Sequence, residues 1–132
     1  MPASSLRALF AALCTMNKTD AINKIQKSLI SEKPQVITPE GQVYEEYIEK
    51  LSVALLESVI EPVKVNVISS CAADGDLEKY QASVVWGIAK CNGNWLLTLE
   101  AENEFALGFG SDPKQIMIHG FSSSDALGEW CA

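Results

Sequence analysis

The sequence predicts an α+β fold, in which helices come first and an antiparallel sheet follows. Apolar residues recur at helical spacing up to about residue 60, and in several later segments they alternate with polar residues. The pair Asn92-Gly93 separates two alternating segments and is typical of a β-hairpin turn. Because the two kinds of element are segregated along the chain, we expect N-terminal helices packed on a four- to five-stranded antiparallel meander, with a short C-terminal helix.

The composition is that of one globular domain. The chain has 132 residues, of which 48% are hydrophobic and 20% are charged, and these values argue against disorder. A chain of this length buries roughly 65–70% of the surface that it exposes when unfolded, which is enough for a core without disulfides. We therefore expect a single domain over residues 1–132.

The first segment, residues 1–16, allows three interpretations. A first helix can cover about Leu6 to Cys14, or the segment can be a leader before Met16. Its short apolar run can also be a signal segment, although it is far below the roughly 20 apolar residues that span a bilayer. We expect a cytoplasmic protein, with a secreted or periplasmic location as the alternative if residues 1–15 are a signal segment.

The next predicted helix is capped by Asn17 or Thr19 and ends before Pro34, because proline disfavours helical geometry in the residue before it. Its apolar face consists of Ile22, Ile25, Leu29 and Ile30.

A longer helix is predicted from Thr38, its expected N-cap, to about Ile60, because Pro39 suits a first helical position and Pro62 stops the helix. Its apolar stripe consists of Val43, Tyr47, Leu51, Leu55 and Val59.

The sheet prediction centres on a hairpin over residues 80–100. A type I′ turn at Asn92-Gly93 pairs Lys90 with Trp95, Ile88 with Leu97, and Trp86 with Leu99. These pairs would place Trp86, Ile88, Leu97 and Leu99 on one core face, against which the long helix packs. The opposite face, with Val85, Ala89 and Leu96, is expected to be more polar but still partly apolar.

Three further strands and a last helix complete the prediction. One strand is expected at residues 63–68, one at 105–109 and one at 115–120. Residues 69–76 are expected to form a loop. A capping stretch from Ser122 to Asp125 should open a helix that runs to about Trp130.

The formal net charge of -7 narrows the choice of partner. Nucleic acid is excluded as a partner because phosphate neutralisation needs clustered Lys and Arg, and an anionic membrane surface is excluded for the same reason. A basic protein is allowed, since opposite charge would speed its encounter with this chain, and the alternative is that the charge serves only solubility.

The sequence offers no catalytic, metal or cofactor motif. The four cysteines form no C-x-x-C pair, and His119 is the single histidine. The Ser122–Asp125 segment after His119 is explained by helix capping rather than by a catalytic triad. Asp74, Asp76 and Glu78 are explained by a solvated turn rather than by calcium binding. We expect no catalytic residue, no metal and no cofactor.

The first functional hypothesis is a small acidic protein-binding module without catalysis. An immunity or antitoxin protein that masks a basic nuclease is one version, by analogy of size and charge alone. Its docking surface would be an acidic edge at the end of the hairpin, joined to carboxylates of the long helix. The residues concerned are Glu100, Glu102 and Glu104 at the hairpin end, and Glu45, Glu46 and Glu49 on the helix.

The alternative is a cone-shaped α+β domain that binds a ligand or catalyses a reaction in an apolar aromatic pocket. Such a pocket would be lined by Tyr47, Trp86, Trp95, Phe105 and His119. A homodimer formed through the second sheet face is compatible with either hypothesis.

Overall fold

A computed structural model describes residues 16–72 and 75–132, and shows an α+β architecture. In that part of the chain, four helices accompany a six-stranded, mostly antiparallel sheet. The expected first helix, leader or signal segment lies outside the described residues. The elements in chain order are α1 (Lys18–Ser31), α2 (Tyr44–Glu57), β1 (Val59–Val65), β2 (Val67–Ser70), α3 (Leu77–Ala82), β3 (Val85–Cys91), β4 (Asn94–Leu99), β5 (Phe105–Phe109), β6 (Ile116–Ser123) and α4 (Ala126–Trp130).

The sheet has the strand order β1-β3-β4-β5-β6-β2. Strands β3 to β6 form the expected meander, and β1 pairs antiparallel with β3. The sheet has more strands than expected because the segment predicted as one strand at residues 63–68 is divided between β1 and β2. Strand β2 pairs with β6, and this pairing is parallel.

The division at Asn66 determines the shape of the sheet. Asn66 alone separates β1 from β2, yet these strands form the two opposite edges of the strand order. Val65 and Val67 lie at most about 7 Å apart along the chain, because two residues span no more. The sheet must therefore curl until its edges approach each other. Backbone bonds hold the bend: the Asn66 amide donates to the Pro113 carbonyl at 2.9 Å, and its carbonyl accepts from the Ile116 amide at 2.9 Å.

The predicted hairpin turn is confirmed, but its register holds only near the turn. Asn92 and Gly93 adopt φ values of 51° and 84°, as a type I′ turn requires, and Lys90 faces Trp95. The same register still pairs Ala89 with Leu96, but it shifts between Ala89 and Gly87, so that Gly87 faces Leu97. The pairs predicted for Ile88 and Trp86 are therefore wrong, because a bulge adds one residue to β3.

The bulge redistributes the hairpin side chains over two cores. The helix-side core lies beneath α1, α2 and α4, and the inner core lies on the concave face with α3. Trp86 and Ile88 belong to the helix-side core, whereas Leu97 and Leu99 belong to the inner core. The expectation that these four residues share one core face was wrong, and the opposite face, expected to be more polar but partly apolar, is covered as well. The helix-side core contains Ala21, Ile25, Leu55, Val59, Trp86, Ile88, Ala89, Leu96, Phe105, Ala126 and Leu127, and the inner core contains Val65, Val67, Tyr80, Val85, Trp95, Leu97, Leu99, Ala106, Ile116 and Ile118.

Helix α1 follows its sequence signals closely. Asn17 caps it through a reciprocal capping box with Asp20, at 2.8 and 3.0 Å. Ile25 is fully buried, and the helix ends before Pro34. Ile30, however, is 86% exposed, so its assignment to the apolar face was wrong.

Helix α2 begins at Tyr44, six residues after the expected cap at Thr38. Gly41 adopts φ +84°, which an α-helix does not accommodate, and the Gln42 amide closes a turn onto the Pro39 carbonyl at 3.2 Å. The helix also ends earlier than expected, at Glu57, because Ile60 already belongs to β1. Of the predicted stripe, only Leu55 is fully buried within the helix.

Two short helices flank the meander. Residues 77–82 form α3, although residues 80–82 were expected in the hairpin strand, and Tyr80 enters the inner core from this helix. The C-terminal helix is confirmed, but its N-cap is Asp125, which accepts from the Gly128 amide at 2.9 Å. Ser122 belongs to β6 rather than to the cap.

Ser28 and Asp125 form a polar joint between α1 and α4. The buried Ser28 hydroxyl donates to the Ser124 carbonyl at 2.5 Å and accepts from the Ala126 amide at 2.9 Å. The Asp125 carboxylate also accepts from the Gln35 amide at 2.7 Å. This joint fixes the first described helix and the loop after it to the last helix.

We predict that Ser28→Ala destabilises the protein by about 1–3 kcal/mol, because it leaves the buried Ala126 amide without a partner. Ser31→Ala is the matched control: Ser31 is exposed and its hydroxyl bonds only within α1, so its effect should stay within about 0.5 kcal/mol. Urea unfolding of the two variants measures the difference, and equal midpoints would contradict the prediction.

We predict that Gly87→Ala destabilises the protein by about 1–3 kcal/mol through overpacking. A Cβ atom at Gly87 would lie 2.6 Å from the ring of Trp95, which is only 3% exposed. At a strand position where the added methyl group meets no neighbour, the same change would be stabilising. The sign of the change in unfolding free energy therefore shows whether Gly87 is tightly packed. Cys91→Ala, at an exposed position on the same strand, serves as control in thermal unfolding.

Candidate functional site

The hairpin-end carboxylates do not form one free acidic edge. Glu100, Glu102 and Glu104 lie in the connection between β4 and β5. The Lys79 ammonium on α3 lies 2.9 Å from the Glu102 carboxylate and 2.6 Å from that of Glu104. These contacts raise the pKa of Lys79. Two of the three carboxylates are therefore already paired within the chain.

Glu104 is also the least exposed of the three, and it takes part in a wider polar cluster. Its side chain is 17% exposed. The Ser122 hydroxyl contacts the Glu104 carboxylate and lies 2.8 Å from the Asp76 carboxylate. Burial alone would raise the pKa of Glu104, but hydrogen bonds from Lys79 and Ser122 outweigh it and hold the pKa below its usual range.

Tyr80 lies against this cluster from the inner core. Its hydroxyl is buried and has no hydrogen-bond partner among the residues that the structure describes. Burial, together with the Glu104 charge, raises the pKa of Tyr80 well above its usual range. The phenol therefore stays protonated and neutral, which makes it unsuited to act as a base at neutral pH.

The carboxylates of α2 are arranged differently. Glu45, Glu46 and Glu49 are all exposed. In the described parts of the chain, none of them forms an ion pair within 4.0 Å. Val53, on the same helix, is 51% exposed.

The two acidic groups lie beside different neighbours. A depression of about 370 Å³ at the β4–β5 connection is lined by α1 residues, including Lys24 and Lys27, together with Glu100 and Glu102. Positive side chains thus stand next to the hairpin-end carboxylates. A separate depression, of about 280 Å³ at the start of α2, is lined by Glu46 together with Lys50.

The aromatic residues of the alternative hypothesis are not gathered around one cavity. Trp86 and Phe105 are buried in the helix-side core, whereas Trp95 is buried in the inner core, on the other side of the sheet. The Trp95 indole donates to the Gly110 carbonyl at 2.8 Å. Tyr47 is half-buried on α2, and His119 is exposed, with its ring perpendicular to that of Phe109 at a centroid distance of 6.3 Å.

The apolar residues on which the homodimer hypothesis depended are buried within the single chain. Val85, Ala89 and Leu96 are at most 2% exposed. A dimer through the sheet would therefore need a different part of its surface.

No family model, curated protein or solved structure matches this chain. The surface chemistry of the chain itself is therefore the basis for assigning a function. Within residues 16–72 and 75–132, no helix has the length and apolar character needed to cross a bilayer. The same part of the chain holds no cluster of three or more His, Cys, Asp or Glu side chains suited to a metal ion.

We predict that Glu104 makes stability depend on pH. Because its pKa is lower in the folded state, the unfolded chain binds more protons as the pH falls. The stabilisation by Glu104 is therefore present above the ordinary pKa of 4.5 and is lost as the pH falls through the folded-state pKa. Glu104→Gln should lower the urea midpoint at pH 7, and the difference from the unmodified protein should shrink toward pH 3.

Glu78→Gln, on the exposed surface of α3, is the control and should leave the pH profile close to that of the unmodified protein. A Glu104→Gln effect of the same size at every pH would show that the side chain contributes by packing and not by charge.

Proposed function

We propose that this chain is a small protein-binding module that docks a basic partner protein on the exposed face of α2. The observation that carries the proposal is an acidic surface on that helix whose carboxylates form no ion pair among the described residues. At the hairpin end, by contrast, two of the three carboxylates are paired. Lys79 pairs with Glu102 and Glu104, and no comparable cation pairs with the α2 carboxylates among the described residues.

The geometry of α2 favours one continuous surface. At about 100° per residue, Glu46, Glu49, Val53 and Glu57 fall within a sector of about 80°, opposite the buried Leu55. Carboxylates surrounding an exposed aliphatic residue provide both steering and contact area. We call this stripe of four residues the α2 acidic face.

Helix stability explains only part of the charge of the α2 acidic face. Glu45 and Glu46 lie in the first turn, where negative charge is favourable. Glu57 ends the helix, where a negative charge opposes the helix dipole by about 0.3–1 kcal/mol, and the last turn contains no basic residue. A negative residue kept at an unfavourable position supports a role in binding.

The charge balance supports a basic partner. Helix α2 has four glutamates and one lysine, a net charge of -3 out of the formal -7 for the whole chain. An inhibitor of the immunity or antitoxin type would use such a face to cover a cationic nucleic-acid site on its target. The proposal for this chain is non-catalytic binding.

The test compares two double charge reversals. Glu46→Lys with Glu49→Lys alters the α2 acidic face, and Glu100→Lys with Glu102→Lys alters the hairpin end. Both change the net charge from -7 to -3, so a difference between them cannot come from net charge. Proteins retained by the immobilised chain are identified by mass spectrometry, and the affinity of each purified candidate is then measured by calorimetry.

We expect a partner of high isoelectric point whose affinity falls at least about tenfold for the α2 variant, a loss of about 1.4 kcal/mol. The hairpin-end variant should change the affinity much less, and raising the salt from 0.05 to 0.5 M should weaken the unmodified complex. An equal loss of affinity in both variants would show that only net charge matters and not the position of the carboxylates. Loss in the hairpin-end variant alone would move the docking surface away from α2.

A further inference from the structure

Lys24 lies in the depression of about 370 Å³ between α1 and the β4–β5 connection. Its ammonium group donates to the Leu99 carbonyl at the end of β4, which holds the amine at this position. The side chain is half-buried rather than extended into solvent. The depression is lined by Met16, Asp20, Asn23, Lys24, Lys27, Glu100, Ala101, Glu102 and Asn103.

Burial changes the acid–base character of this amine. Desolvation lowers the pKa of Lys24 from 10.5 to about 8, although the Glu100 carboxylate acts in the opposite direction. At neutral pH, roughly two orders of magnitude more of this amine is uncharged than of an ordinary lysine. An uncharged amine with an open approach is what nucleophilic attack by lysine requires.

The groups around the amine restrict what it can accept. Asp20 and Glu100 contribute negative charge, whereas Lys27 is the other cation in the depression. Glu102 also lines it but is paired with Lys79. With two further carboxylates against one neighbouring cation, an anionic molecule is disfavoured. The depression is at the lower end of the size range of small-molecule sites, about 300–1,000 Å³.

We propose that Lys24 is a covalent acceptor site for small neutral aldehydes, which it binds as an imine. The Nζ lone pair forms the N–C bond to the carbonyl carbon, and the C=O π bond opens to a carbinolamine. The C–O bond then breaks, and both amine hydrogens leave with the carbonyl oxygen as water. The product is an N=C double bond to Lys24, with no net oxidation or reduction.

This inference is independent of the α2 acidic face, because it uses α1 and the β4–β5 connection. Propionaldehyde is the probe, with cyanoborohydride to reduce the imine to a stable secondary amine. The whole chain is labelled at pH values from 6 to 10, and peptide mass spectrometry gives the rate at each lysine. Lys18→Arg is the matched control, at an exposed lysine of the same helix that does not line the depression.

We expect Lys24 to be labelled at least about tenfold faster than Lys27 or the exposed Lys18 at pH 7, with a rate that levels off near pH 8. Lys24→Arg should abolish the fast labelling, and Lys18→Arg should preserve it. Glu100→Gln should shift the midpoint to lower pH, because it removes the charge that raises the pKa of Lys24. Equal rates at all lysines, or a Lys24 rate that keeps rising to pH 10, would overturn the inference.

Discussion

The bend at Asn66 is the constraint on which the rest of the structure depends. Because one nearly continuous segment provides both β1 and β2, the sheet cannot open flat without breaking its pairing with β3 or with β6. The curl encloses the inner core on the concave face, and α3 covers that face with Tyr80. The helices α1, α2 and α4 are left to cover the convex face. Two separate cores in a chain of 132 residues follow directly from this closure.

Local signals in the sequence predicted local structure well. The cap at Asn17, the turn at Asn92-Gly93 and the α+β class depend on side chains near in sequence, and the structure confirms them. The bulge at β3 and the parallel pairing of β2 depend on packing between distant segments, which no short window of sequence contains. Gly41 was a usable signal for the late start of α2, because it interrupts the expected helix.

The candidate surface shows the same division between local and distant information. Exposure of the α2 carboxylates follows from helical periodicity, so sequence alone could locate Glu46 and Glu49 on a solvent face. The ion pairs that Glu102 and Glu104 form with Lys79 could not be predicted, because Lys79 lies on α3, a helix that the sequence did not indicate. Without α3, the sequence could not show that carboxylates at the hairpin end are paired with a lysine.

The joint between Ser28 and α4 also sets an order of events during synthesis of the chain. The Ser28 hydroxyl and its partner, the Ala126 amide, are 98 residues apart. Ribosomes add about 5–20 residues per second, so α1 leaves the exit tunnel roughly 5–20 s before the segment that secures it. During that interval the apolar side chains of α1 lack their final partners on α4. They are then either loosely associated with the growing sheet or covered by a chaperone. Contacts this distant in sequence also slow spontaneous refolding, because the intervening loop must close first.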